Sequence, residues 1–340
     1  MKNKLKLFGI YLPVFLVLTL SAVVLRTVAL FVQFDFDTGY FSENILIKIA
    51  DYMTVVLSVF LFTYIFAARK DIRLIPDFSS ARTYVPTGLV SAALVFVAIS
   101  LFAPKGGYGS LILAFVGYIT AILAILSAVS FIVMPLAENH LNSRRVYLGL
   151  ATVLFLSFYA AYLYFDQALP INSPNKMLDE MAYLFAAVFF LYEVRLSMKR
   201  EAWRPYIAFG FIAAAIAAYS AIPALILYVI GGKTVSNSVY EIALTLALFV
   251  FILSRVLLTG ELIEDKRSPI AAAFIENAEK REQELHPEPQ PVVEITGESL
   301  VDDEDESQIT IDDVAEAEEE DEISVEIIIE DEPVSTEEEE

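Results

Sequence analysis

The sequence predicts an all-α integral membrane protein: eight transmembrane helices arranged as two parallel four-helix repeats, followed by a disordered acidic C-terminal tail. Three observations carry that expectation. Of the 340 residues, 57% are apolar. Charge is split along the chain, with 13 acidic and 19 basic residues in 1–260 but 31 acidic and four basic residues from Glu261 onward. A set of polar residues also recurs at a fixed offset. So apolar a body cannot clothe itself in a water-facing surface, which excludes a single soluble globular domain.

A bilayer core about 30 Å thick takes roughly 20 residues of helix. The first apolar run, Leu7 to Phe34, follows Lys2, Lys4 and Lys6. It is too long for a signal-peptide core and lacks a small-residue cleavage pattern, so it reads as a retained signal-anchor helix. Ile45 to Ala67 stops before Arg69 and Lys70, and Val85 to Ala103 stops before Lys105-Gly106-Gly107. Leu111 to Leu136 is the fourth run, and Val146 to Phe165 starts after Arg144 and Arg145. Met177 to Leu196 precedes Lys199 and Arg200, Pro205 to Ile230 ends at Gly231-Gly232-Lys233, and Val239 to Leu258 is the last. The runs are continuous rather than alternating, which disfavours a β-barrel.

Loop charges set the expected orientation. With the N-terminus inside, the cytoplasmic segments hold fourteen Lys and Arg, whereas the opposite loops hold three: Lys105, Lys176 and Lys233. Excess basic charge stays on the cytoplasmic side, so both termini are expected there, in a plasma membrane of bacterial type.

Asn44, Lys48, Asp51, Met53, Phe62 and Tyr64 recur 128 positions later as Asn172, Lys176, Asp179, Met181, Phe190 and Tyr192. Arg82, Tyr84, Gly88 and Tyr118 recur 122 positions later as Arg204, Tyr206, Gly210 and Tyr240. A four-helix unit returns the chain to its starting side, so its copies are parallel, related by a pseudo-two-fold axis along the membrane normal. The expected divisions are 1–136 and 137–260 for the two repeats, 261–285 for a cytoplasmic helical extension, and 286–340 for the tail.

Ionisable residues inside a bilayer are costly, so each marks a candidate site. Arg26 and Asp51 lie at similar depth on neighbouring spans and are expected to pair. A salt bridge fixing helix register and a ligand or ion site are both open readings. Lys48 with Asp51, and Lys176 with Asp179, share a helix face at i, i+3. Helix-start chemistry, with Asn44 as a cap and the acids near the positive dipole end, explains them; so does a vestibule where the two pairs meet. Glu193 and Arg255 also lie at similar depth, where a structural pair, snorkelling and a proton relay are the open readings. The aromatics Phe155, Phe158, Tyr159, Tyr162, Tyr164 and Phe165 read as an interfacial belt, Trp203 and Tyr206 as an inner anchor, and Pro223 as a kink.

With no cysteine and only His140 and His286, disulfides, thiolate catalysis and Cys-based metal sites are excluded and imidazole chemistry is disfavoured. No nucleophile elbow, Walker loop or HExxH motif occurs, and no cofactor is expected. The tail, acidic and poor in aromatics beyond His286, carries short apolar clusters such as Ile327-Ile328-Ile329. Its charge disfavours nucleic acid and favours a basic cytoplasmic protein. The expected function is a non-enzymatic anchor, sensor or regulatory scaffold in the lipid bilayer. A small-solute transporter or channel with a site at the repeat interface is the alternative.

Overall fold

The computed structural model describes residues 8–261, apart from 37, 43–44, 68–73, 76–82, 105–109, 137–142, 166–172, 199–201 and 235–237. Asn44, Asn172, Arg82, Lys105, His140, His286 and nearly all of the expected extension and tail lie outside the described residues.

Eight long helices account for most of the described chain: α1 (Tyr11–Gln33), α2 (Ile45–Phe62, continued by a short helix Tyr64–Ala67), α3 (Tyr84–Phe102), α4 (Leu111–Leu136), α5 (Ser143–Phe165), α6 (Pro174–Ser197), α7 (Trp203–Gly231) and α8 (Val239–Leu258). All of them except α6 are long and apolar enough to cross a membrane. The exception contains Lys176, Asp179, Glu180, Glu193 and Arg195, which dilute its apolar content. Two short antiparallel strand pairs, the first of them a hairpin, complete the described residues. One joins α1 to α2 through Phe34–Asp35 and Tyr40–Phe41, turning at Gly39 with φ +75°, a region open to glycine. The other pairs Leu74–Ile75 with Gly260–Glu261.

Helix ends follow local chemistry. Pro174 stands in the first turn of α6, where its missing N–H costs nothing, directly after Ser173 in extended conformation. Ser238 caps α8, its hydroxyl accepting from the Glu241 backbone N–H, as a Ser-x-x-Glu start predicts. Gly232, at φ +63°, closes α7 by donating to the Tyr228 carbonyl.

Helix α7 is the hub. It packs against α1, α2, α6 and α8, and α3 packs on α8 while α4 and α5 link α3 to α6. The segment from Phe211 to Ala218 is buried at every position and dominated by alanine, which lets neighbouring backbones come close. At Gly210 the approach is closest: a Cβ there would overlap Val256 Cγ2 of α8 and press on the Phe189 ring of α6. Helix α6 packs along α5 and α7, and α2, its counterpart in the sequence repeat, packs along α1 and α7.

The outward faces stay apolar, with Val55, Val56 and Val59 on α2 and Leu111, Ile112 and Phe115 on α4 all exposed. That is the pattern of a bundle solvated by lipid tails.

Candidate functional site

Near the Phe34–Phe41 hairpin, polar side chains from five helices meet around Arg26. Arg26 is 3% exposed. Nη2 donates to Asn175 Oδ1 across the α1–α6 gap. Nη1 stands 3.9 Å from Asp51 Oδ1, and Cζ lies 4.7 Å from the Tyr219 ring centre and 5.8 Å from that of Phe41. Stacking between two rings spares part of the cost of burying a cation.

The sequence-predicted residues divide clearly. Asp51, half exposed, accepts a 2.6 Å hydrogen bond from the Tyr219 hydroxyl, and Asp179 accepts one from the Ser220 hydroxyl. The two aspartates that correspond in the repeat therefore hold consecutive residues of α7. Those residues lie just before Pro223, which has no N–H for the Tyr219 carbonyl four residues earlier. Helix α7 nonetheless runs through Pro223 as one helix. Lys48 is exposed on α2, while Lys176 is buried and donates to the Tyr164 carbonyl at 3.0 Å.

The aspartates stand in the opening turns of their helices, one turn in from the start. Asp51 is the seventh residue of α2 and Asp179 the sixth of α6, beyond the first turn in both. Hydropathy placed the start of α6 at Met177, three residues late, because Pro174, Asn175 and Lys176 are polar or breaking residues that nonetheless belong to the helix.

Further polar groups extend the cluster. Tyr183 and Thr245 share a 2.8 Å hydroxyl hydrogen bond, Thr245 donates to the Glu241 carbonyl at 2.9 Å, and Tyr159 reaches Glu241 Oε1 at 3.4 Å. Arg26, Asn175, Asp179, Ser220, Glu241 and Thr245 line a cavity of about 10 Å³, the space of a single water-sized group. Two buried donors among these, Arg26 Nε and Asn175 Nδ2, have no hydrogen-bond partner among the described residues. Sequence reasoning missed Asn175, Tyr219, Ser220, Glu241 and Thr245. The Ser-x-x-Glu start of α8 and the Tyr-Ser pair ahead of Pro223 were the signals at hand.

At the opposite end of α6, Glu193 and Arg255 meet. Both Nε and Nη2 of Arg255 donate to Glu193 Oε1, at 3.0 and 2.8 Å, and the two side chains are 6% and 1% exposed. Glu193 Oε2 is buried without a hydrogen-bond partner among the described residues, beside a cavity of about 60 Å³ whose other polar lining includes Ser130, Thr152 and Ser197.

The aromatics are less interfacial than expected. Phe158, Tyr164 and Phe165 face outward, but Phe155 and Tyr159 are core residues, with Tyr159 edge-on to Tyr183 at 5.0 Å. Trp203 and Tyr206 are likewise buried, Tyr206 lying 4.8 Å from the Phe189 ring. A helix that packs on several sides at once draws its aromatics inward. Among the described residues no group of three or more His, Cys, Asp or Glu is placed to hold a metal ion.

Apolar helices of spanning length, with their buried charges paired to polar partners inside the bundle, define a helical multi-pass membrane protein. Comparison with protein-family models, with curated proteins and with solved structures returns no match, so no residue's role rests on similarity.

Proposed function

We propose that the chain is an eight-span protein of the cytoplasmic membrane, built from two parallel four-helix repeats with both termini in the cytoplasm. It acts without catalysis, anchoring or regulating a basic cytoplasmic protein through its acidic tail. The carrying observation is the charge split: 31 acidic against four basic residues from Glu261 onward, on a body of opposite sign. A tail of that composition lacks apolar area to pack and is repelled by anionic lipid, which leaves it free for a cationic partner. Helix α6 fits as the eighth span because Asn175, Lys176 and Glu193 are buried while Met177, Met181, Leu184 and Leu191 face outward. The one-sided distribution of loop Lys and Arg supports the orientation.

Truncation after Lys280 tests the reading. Insertion and melting of the body should be unchanged, while a basic protein cross-linked to the full chain in membrane vesicles should be lost, as it should be on raising salt. Unchanged recovery from the truncated chain would remove the anchor reading.

A solute carrier with its site near the repeat interface is the second reading. The partnerless Arg26 Nε and Asn175 Nδ2, in a cavity shared with Asp179 and Glu241, favour it. Solute flux through an intact truncated body, lost on Arg26→Gln, would support it over the anchor.

A further inference from the structure

Each unpartnered donor in the Arg26 cavity carries an uncompensated desolvation cost unless a ligand atom meets it. Two stand together, Arg26 Nε and Asn175 Nδ2, on residues that are each 3% exposed. Donors of that kind call for an oxygen with lone pairs, and a guanidinium beside a carboxamide is well matched to a carboxylate. The remaining wall is of the opposite character. Asp179 and Glu241 contribute carboxylates, and Ser220 and Thr245 contribute hydroxyl oxygens.

The mixture excludes the simplest ligands. A free anion brought to Arg26 would be repelled by Asp179 and Glu241, and a free cation brought to the carboxylates would be repelled by Arg26. A group carrying both polarities satisfies both walls. We propose that this cavity recognises a small zwitterion with a carboxylate and an ammonium on neighbouring carbons, the pattern of an α-amino acid. The carboxylate lies against Arg26 and Asn175, and the ammonium against Asp179, Glu241 and Thr245.

Size restricts the class further. At about 10 Å³ the cavity admits one water-sized group, so even glycine requires it to widen. The α1–α2 hairpin covers the site, with Phe41 over Arg26, Phe34 and Phe41 packed on Leu30 and Leu227, and Ser173 Oγ donating to the Gly39 carbonyl at 3.2 Å, so ligand entry requires those contacts to give way. Leu30, Ala221, Ala224 and Ile242 form the rest of the wall, so a widened cavity takes only a short side chain. Glycine, alanine and serine fit this limit; aromatic and long basic amino acids do not.

The proposal names a ligand for the pocket that the solute reading uses, and rests on that reading for the pocket alone. Binding is measured separately from flux, so absence of transport leaves it standing and absence of binding sinks it.

The test is thermal unfolding of the full-length protein in detergent, titrated with glycine, L-alanine, sodium acetate and methylammonium chloride. Glycine or alanine should raise the melting temperature saturably, by roughly 5–10 °C at a hundredfold excess over Kd. Acetate and methylammonium, each carrying half the recognition, should shift it little. Thr245→Val and Asn175→Leu should each weaken binding tenfold or more, whereas Ser197→Ala, at the far end of α6, should leave it unchanged. If Asn175→Leu fails to fold, Thr245→Val alone decides the matter. Acetate matching glycine would overturn the zwitterion assignment. No shift with either amino acid, in a protein that melts cooperatively, would overturn the site and leave a cavity for one bridging water.

Discussion

Replacing Glu193 by leucine should destabilise the bundle by about 3–5 kcal/mol, because it leaves a buried guanidinium without its anion. At 2.8 Å and an effective dielectric near 20, the Coulomb attraction between the two groups is roughly 6 kcal/mol. Two N–H donors share the one carboxylate oxygen, so the substitution removes both hydrogen bonds together. Arg255→Met should cost a comparable amount by stranding the carboxylate. The double variant is the informative one. An apolar pair of similar volume in this site needs no compensation, so Glu193→Leu/Arg255→Met should lie within about 2 kcal/mol of the native protein. The coupling energy is then several kcal/mol, well above the roughly 0.6 kcal/mol typical of hydrogen bonds between membrane helices. Equilibrium unfolding in mixed micelles, titrated with a denaturing detergent, measures all four corners of the cycle. A double variant whose loss equals the sum of the single losses would refute the argument.

Three other outcomes follow from the same geometry. Arg26 and Asp51, 3.9 Å apart with Asp51 half exposed, should couple by less than about 1 kcal/mol in a cycle of Arg26→Gln and Asp51→Asn, whereas Arg26 and Asn175 should couple more strongly. Gly210→Ala should cost about 1–3 kcal/mol by overpacking, and Val256→Ala in the same chain should recover part of that; thermal melts of the three variants check it. Ser42→Cys, exposed beside the α1–α2 hairpin in a chain without native cysteine, should be labelled by an impermeant maleimide from the extracytoplasmic side of intact cells; labelling only from inside would reverse the orientation.

The helical membrane class was legible because its cause is local: a run of apolar residues signals a span whatever it packs against. Proximity of charged groups was partly legible too. The depths of Arg26 and Asp51, or of Glu193 and Arg255, follow from counting residues along neighbouring spans. What depth leaves open is the azimuth, the direction each side chain faces around its helix. Nothing in the sequence marks α7 as the centre of the bundle, yet that position is what turns Tyr219 toward Asp51 and Ser220 toward Asp179. The same gap explains Trp203 and Tyr206, whose composition matches an interfacial anchor but which face the interior. Asn175 was missed for another reason. A helix that begins on proline carries polar residues in its first turn, and a hydropathy threshold places them in the loop.

The central place of α7 has a consequence for biosynthesis. Arg26 enters the membrane 149 residues before its hydrogen-bond partner Asn175, and the rings and acids of α7 and α8 come later still. At about 5–20 residues per second, that separation is roughly 7–30 s of elongation. Throughout this interval the α1–α2 pair holds an intramembrane arginine with none of its later-made partners. Until α6 and α7 arrive, the half-exposed Asp51 of α2 is the counter-charge that the early chain can offer to Arg26.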